Sequence, residues 1–194
     1  MSPGMHGKLV VISGPSGVGK STIAQEVLRR TDAEYSISAT TRSPRAGEKD
    51  GCDYRFLDRN SFQRMIEHDQ LLEWAEVFGH LYGTPAEPVR QAVREGHTIL
   101  LEIDVQGGIQ VHKKMPNATF VLIVPPSGKE LRRRLTGRGT EDKASYEARC
   151  AKAQEELQLA RESGAYTHEV INDDLETAIE TIVNIVQSQE HETI

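Results

Sequence analysis

Residues 8–30 read KLVVISGPSGVGKSTIAQEVLRR, and this segment decides the fold. Its first part, Lys8–Ser13, is a short β-branched run of the kind that forms a buried strand. A glycine-rich turn follows it. The residues after the turn place Ile23, Val27 and Leu28 at helical spacing. The segment therefore predicts a strand, a loop and a helix in direct succession.

The turn fits the pattern GxxxxGK followed by Ser or Thr at every fixed position, from Gly14 to Ser21. Glycines let successive backbone N–H groups turn toward phosphate oxygens, and the positive end of the following helix points at them. In this pattern Lys20 reaches the β- and γ-phosphates and the Ser21 hydroxyl can bind Mg²⁺. The strand–loop–helix context disfavours a chance glycine turn. We predict that a nucleotide is bound by Gly14, Pro15, Ser16, Gly17, Val18, Gly19, Lys20, Ser21 and Thr22.

Further apolar runs predict three more buried strands: Thr98–Ile103, Thr119–Val124 and Glu169–Ile171. Helical segments lie between and after them, and the clearest is Leu175–Val186. Asp173 and Glu176 stand at its start in capping-box spacing. Alternation of buried strands with helices predicts an α/β protein in three layers, with a central parallel sheet covered on both faces.

Two segments depart from this alternation. Residues 38–90 are rich in Arg, Gly, Tyr and Trp and hold only short strand-like pieces, which predicts an inserted lobe. Residues 127–160 are helical and strongly charged, which predicts a mobile helical lid. We expect one domain over residues 1–194, with a core formed by residues 1–37, 91–126 and 161–194.

Composition narrows the class of protein. The length of 194 residues suits one principal domain, and the net charge of −6 disfavours nucleic-acid polymers as partners. The sequence shows neither an apolar run of the roughly 18 residues that a membrane helix needs nor a signal-peptide core at its start. Cys52 and Cys150 lack metal-ligand or CxxC spacing, which favours a reducing compartment. We expect a cytoplasmic protein; a homo-oligomer stays open.

A phosphate loop occurs both in switch GTPases and in kinases of small acceptors. Asp104–Gly107 follows a predicted strand and matches the DxxG of GTPases, but the NKxD that reads guanine in those proteins is absent from the sequence. A lone DxxG is a weak signal, so the kinase class is favoured.

Five further motifs stand in one order along the chain: SATTRSPRAGEKDGCDY at 38–54, LLEW at 71–74, YGT at 82–84, LEIDVQG at 101–107 and GRGTE at 137–141. With the phosphate loop, they make the sequence strongly resemble the guanylate kinase family from about Lys8 to Leu175. The resemblance implies a P-loop NTPase fold, ATP and GMP as substrates, and Mg²⁺ as the cofactor.

The resemblance assigns the lobe at residues 38–90 to GMP. It implies that Arg42 and Arg45 hold the GMP phosphate together with the hydroxyls of Tyr54 and Tyr82. Guanidinium groups suit a phosphate dianion. Without the surrounding motif, the simpler interpretation would be two solvated surface arginines.

The resemblance also implies that Glu73 and Asp104 read the guanine base. Guanine presents two donors, its N1–H and its amine, and an ionised carboxylate is an acceptor only. Ser38 and Thr84 match hydroxyl contacts to the base. If Glu73 has no such role, it merely flanks a core Trp74.

The metal and the donor nucleotide complete the implied site. Glu102 matches an acidic residue that holds Mg²⁺ with Ser21, although many relatives have Asp there. It lies two residues before Asp104, which predicts that both side chains point to the same face of the strand end. Asn172 matches a residue near the donor nucleotide.

The lid carries three arginines that match the family: Arg134, Arg138 and Arg149. The resemblance implies that Arg138 and Arg149 close on the transferring phosphoryl group, where charge must be stabilised, and that Arg134 lies near the donor. Neighbouring Arg132 and Arg133 fit an ordinary solvated helix face. The implied catalytic residues are Lys20, Arg42, Arg138 and Arg149.

Two other interpretations compete with a GMP kinase. Guanylate-kinase-like domains that only bind proteins tend to lose the phosphate-loop lysine and the lid arginines, whereas this sequence keeps Lys20, Arg138 and Arg149. A kinase for a different small phosphate ester is disfavoured by the Glu73 and Asp104 pair.

Overall fold

A computed structural model describes residues 7–136 and 143–188, and these form two sheets. The strands are β1 (Lys8–Ser13), β2 (Glu34–Tyr35), β3 (Ala39–Thr40), β4 (Arg55–Phe56), β5 (Leu71–Val77), β6 (His80–Pro85), β7 (Thr98–Glu102), β8 (Thr119–Val124) and β9 (His168–Ile171). The helices are α1 (Lys20–Arg30), α2 (Arg59–Glu67), α3 (Ala86–Arg94), α4 (Val105–Lys114), α5 (Gly128–Thr136), α6 (Lys143–Ser163) and α7 (Leu175–Gln187).

The central sheet has the order β2-β7-β1-β8-β9, and every pairing in it is parallel. Successive residues of β1 point to opposite faces. Val10 and Ile12 pack with α1 and α7, whereas Leu9 and Val11 pack with α3 and α4. Each such side chain contributes about 1.5–3 kcal/mol on burial. The predicted α/β fold with helices on both faces of a parallel sheet is confirmed.

The strand ends differ slightly from the prediction. The strand predicted to reach Ile103 ends at Glu102, because the chain turns there into α4. The strand predicted to begin at Glu169 begins one residue earlier, at His168. The two-residue strand β2 was not predicted, since its partner β7 lies far along the chain.

A second sheet, of order β4-β3-β6-β5, lies within residues 38–90. The predicted end of the lobe at residue 90 cuts through α3, whose Ala86 and Val89 pack against the central sheet. The predicted end of the lid at residue 160 likewise cuts through α6. Its buried Ala160 packs with Val105 and Leu122 of the core. A helix crosses each predicted boundary. The boundaries were predicted from composition, which does not show where α3 and α6 begin and end.

In the described parts of the chain, no helix is both long and apolar enough to cross a bilayer. The two cysteines are free; Cys52 is exposed, whereas Cys150 on α6 is buried in the apolar cluster that also holds Val10 and Ile12.

Helix α7 has a different cap from the one predicted. Its N-cap is Asp174, whose carboxylate accepts hydrogen bonds from the Thr177 backbone N–H (2.8 Å) and the Thr177 hydroxyl (2.7 Å). The capping box predicted from Asp173 and Glu176 is therefore wrong by one residue, because the helix begins at Leu175. Glu176 instead pairs with Arg30 of α1.

We expect Asp174→Ala to lower the free energy of unfolding by about 0.5–2 kcal/mol, because the first-turn N–H groups lose their acceptor. Asp173→Ala removes the same charge one residue earlier and should change it by less than about 0.5 kcal/mol. Urea denaturation of both variants checks the assignment. A larger loss from Asp173→Ala would restore the capping box predicted from the sequence.

Candidate active site

The phosphate loop joins the end of β1 to the start of α1. Gly17 and Gly19 adopt the left-handed backbone region, with φ of +84° and +93°, which side chains other than glycine rarely adopt. Gly19 is also the N-cap of α1 and, as a glycine, has no side chain that could occupy the first-turn N–H groups. The loop therefore presents backbone donors at the positive end of a helix, the arrangement that binds phosphate.

Lys20 is held inside this loop. Its Nζ donates to the carbonyl oxygens of Gly14 (2.6 Å) and Pro15 (3.0 Å). Burial lowers the pKa of Lys20, and the carboxylates of Glu102, Glu156 and Asp104 oppose that shift. Glu156 lies on lid helix α6, and sequence reasoning missed it. A lid carboxylate thus contributes to the electrostatics of the phosphate-loop lysine.

The two residues predicted to hold the metal lie together. Ser21 Oγ donates to Glu102 Oε1 across 2.6 Å. Between residues 7 and 136 and between 143 and 188, no cluster of three or more acidic, His or Cys side chains forms a metal site. A hydroxyl and one carboxylate suit a hard cation that takes its remaining ligands from water and nucleotide phosphates, as Mg²⁺ does.

A cavity of about 210 Å³ opens beside this pair, between the two sheets. Five of the eight residues predicted to bind GMP line it: Ser38, Tyr54, Glu73, Tyr82 and Asp104. Glu102 lines it as well. The carboxylates predicted to read the base and the one predicted to hold the metal therefore face a common space.

Glu73 lies on β5 and is buried, with 8% of its surface exposed. The Thr84 hydroxyl donates to its Oε1 at 2.7 Å from the adjacent strand β6. Burial, and secondarily the nearby charge of Asp104, raises the pKa of Glu73 to about 7, and the Thr84 bond only partly offsets this. Thr84 itself is fully buried, so its hydroxyl orients Glu73 in this structure.

Asp104 lies two residues after the end of β7 and is the N-cap of α4. Its Oδ1 accepts a hydrogen bond from the Gly107 N–H at 2.8 Å. The Asp and Gly of the DxxG pattern therefore form the N-terminal cap of a helix. Gly107 also lies against Glu73, since a Cβ atom on it would come within 3.3 Å of Glu73 Oε2. The first turn of α4 thus forms the wall behind the two carboxylates that are predicted to read the base.

The two arginines predicted to hold the GMP phosphate differ in their surroundings. Arg42 donates to Glu48 at 2.9 Å and lies 5.5 Å from the centre of the Tyr54 ring. Arg45 is exposed, and its backbone N–H also donates to Glu48 at 2.7 Å. Glu48 belongs to the SATTRSPRAGEKDGCDY motif, but its role was not predicted from the sequence. It fixes this loop by accepting hydrogen bonds from both Arg42 and Arg45. The Tyr54 and Tyr82 rings pack edge to face at 6.1 Å.

The lid contributes Arg134 on α5 and Arg149 on α6. Arg134 donates to Glu130 at 2.8 Å, and Arg149 donates to the Leu135 carbonyl at 3.0 Å. Arg138 lies outside the described residues. Arg132 and Arg133, expected on a solvated face, are indeed exposed and pair with Glu147 and Glu130.

Asn172 lies beneath the phosphate loop. It is buried, its backbone N–H donates to the Val124 carbonyl, and its Nδ2 donates to the Val18 carbonyl at 2.7 Å. A Cβ atom on Gly19 would meet that Nδ2 at 2.7 Å. In this structure Asn172 therefore supports the backbone of the loop.

Comparison with known proteins places this site in a family. A family model described as guanylate kinase matches residues 6–189. The chain belongs to the guanylate kinase family. A guanylate kinase of Desulfitobacterium hafniense is 46% identical over 185 residues, 95% of this chain and 91% of that protein. One from Synechocystis sp. is 46% identical over 187 residues, 96% of each chain.

A solved guanylate kinase structure, from Anaplasma phagocytophilum, superposes with a TM-score of 0.74 at 34% identity, covering 97% of this chain and 89% of that one. Family membership excludes the switch-GTPase interpretation of Asp104–Gly107. It also favours a guanylate kinase enzyme over a protein-binding module, since the matched relatives are named as kinases.

The buried Glu73 carboxyl predicts a pH dependence of stability. Its pKa of about 7 lies above the ordinary 4.5, so the stability it contributes is present below pH 4.5 and is lost as pH rises through 7. The difference corresponds to roughly 3 kcal/mol. Glu73→Gln should remove most of that loss, so the variant should be more stable than wild type at pH 8.

Urea denaturation at pH 5 and pH 8 measures the effect. Glu76→Gln is the matched control, because Glu76 lies on the same strand but is exposed and pairs with Arg59. If both variants follow the wild-type pH dependence, Glu73 is not buried as the structure describes.

Proposed function

We propose that the protein transfers a phosphoryl group directly and in line from MgATP to GMP, giving MgADP and GDP. One observation carries this proposal. Glu102 lines the cavity that holds Glu73 and Asp104, and it also accepts the hydrogen bond of Ser21 in the phosphate loop. Acceptor cavity and donor loop therefore share a wall, which is the proximity that in-line transfer needs.

The acceptor base is guanine because its edge carries donors. Glu73 and Asp104 supply acceptor oxygens for the N1–H and the amine, and Ser38 adds a hydroxyl at the same cavity. Adenine would present an acceptor at N1 and face repulsion. Thr84 contributes by holding Glu73.

The GMP phosphate is held by Arg42 and Arg45 with the hydroxyls of Tyr54 and Tyr82. Arg42 is already ordered by Glu48 and by its contact with the Tyr54 ring. A guanidinium whose orientation is fixed loses less entropy on binding an oxyanion.

The donor phosphates lie along Gly14–Thr22, with Lys20 transferring its hydrogen bonds from loop carbonyls to phosphate oxygens. Ser21 and Glu102 would hold Mg²⁺ through its hard oxygen ligands, and the ion would supply positive charge to the nucleotide phosphates. Asn172 supports the phosphate loop through its hydrogen bond to the Val18 carbonyl. Arg134 lies toward the donor nucleotide.

Charge on the transferring group is stabilised by Lys20, Arg42, Arg138 and Arg149. We assign no general base, because the attacking phosphate oxygen of GMP is largely ionised at neutral pH. Closure of the lid over residues 127–160 and of the lobe over residues 38–90 excludes water from ATP.

We place this activity in the cytoplasm, within one domain, on small-molecule substrates rather than nucleic acid or membrane.

A coupled assay tests the activity. With ATP as donor, we expect turnover of GMP and at least about 100-fold lower kcat/KM for AMP, CMP and UMP, since their base edges mismatch two acceptors. Lys20→Ala, measured in parallel, controls for a contaminating kinase and should lose about 10³-fold in kcat. Equal turnover of AMP and GMP would refute the assignment of the base pocket.

Arg138 provides a test of the lid. If its contacts strengthen only in the transition state, Arg138→Met raises the activation barrier by several kcal/mol. Both kcat and kcat/KM then fall by the same factor, and the KM for GMP stays nearly unchanged. Arg133→Met is the matched control, because Arg133 is an exposed lid arginine paired with Glu130. A raised KM with normal kcat would make Arg138 a ground-state binding residue.

A further inference from the structure

The two base-reading carboxylates belong to different parts of the fold. Glu73 lies on β5 of the second sheet, whereas Asp104 follows β7 of the central sheet. Their separation therefore depends on how the second sheet rests against α4. Recognition of two donors on one small base requires that this separation be fixed.

Gln110 of α4 holds the main chain next to Glu73. Its Nε2 donates to the carbonyl of Trp74, and its Oε1 accepts from the backbone N–H of Trp74, both at 3.1 Å. Strand β5 is an edge strand, so its outward main-chain groups lack a neighbouring strand. The side-chain amide of Gln110 takes the place of one residue of such a strand.

Neighbouring residues of α4 contact β5 along the same line. One turn before Gln110, Gly107 lies close to Glu73 Oε2. One turn after it, the Lys114 ammonium donates to the Leu71 carbonyl at 2.6 Å. Gly107, Gln110 and Lys114 are three or four residues apart, so they share one helix face with the cap residue Asp104.

We propose that Gln110 is a positioning residue for guanine recognition. By binding both main-chain groups of Trp74, it fixes the Glu73 carboxylate relative to Asp104 across the junction of the two sheets. It does not touch the nucleotide. This proposal rests on the proposed function, since it concerns the same base pocket.

The role depends on the two hydrogen bonds, not on the volume of the side chain. Gln110→Met keeps the length and most of the volume but removes both bonds, and Gln110→Glu keeps the acceptor toward the Trp74 N–H while opposing its carbonyl. We therefore expect Gln110→Glu to be less impaired than Gln110→Met, and both to be more impaired than wild type.

The measurement compares GMP with IMP, which has the N1–H of guanine but lacks its amine. Loosening the pair of carboxylates should cost GMP more than IMP, because only GMP uses both donors. For Gln110→Met we expect the KM for GMP to rise on the order of tenfold, with the KM for ATP unchanged. The preference for GMP over IMP in kcat/KM should fall by a similar factor.

Gln63→Glu is the control, because Gln63 is exposed on α2 and undergoes the same chemical change as Gln110→Glu. A loss of activity on GMP and IMP by one common factor, or no change in either, would overturn the role of Gln110. Wild-type protein that fails to phosphorylate GMP would overturn the proposed function instead, so the two failures are distinguishable.

Discussion

The parallel pairing of β1 with β7, with Ile12 opposite Glu102, positions the groups on which the site depends. Because both strands run in one direction, their carboxyl ends meet at one edge of the sheet. The phosphate loop leaves β1 there, and β7 delivers Glu102 and Asp104 beside it. The pairing of β8 with β9 continues through the bond between Asn172 and Val124, which brings Asn172 beneath the same loop. A shift of one residue in the pairing of β1 with β7 would turn Glu102 to the opposite face of the sheet.

The parts of the structure that follow from local patterns were predicted from the sequence. The strand–loop–helix at residues 8–30 and the buried strands at 98 and 119 carry their own signal in apolar runs and glycine spacing. The cap of α7 was misplaced by one residue, since Asp173 and Asp174 are equally good N-caps and only the start of the helix distinguishes them. Glu48 and Gln110 were missed because their partners are main-chain groups and side chains that no spacing rule connects to them.

Residue roles in the pocket depend on contacts between distant segments. The sequence resemblance brought Glu73 and Thr84 together as two contacts to the base, whereas the structure joins them to each other across β5 and β6. The same pairing keeps a carboxyl buried, where its ionised form is disfavoured. In the proposed site, the donors of guanine would stabilise that ionised form, so the burial that disfavours ionisation would also favour a base with donors at that edge. Such a conflict between folding and binding is common at functional sites.

The hydrogen bonds of Lys20 to the Gly14 and Pro15 carbonyls bear on how ATP is admitted. The ammonium already has two acceptors in the loop backbone, and these bonds help to fix the curvature of the loop. In the proposed function, nucleotide binding exchanges these carbonyl acceptors for phosphate oxygens, and a loop whose curvature is already fixed would lose little chain entropy. Only ligands with oxygens that bind an ammonium more strongly than a peptide carbonyl can complete this exchange. In the proposed function, the loop would therefore discriminate against nucleosides that lack phosphates.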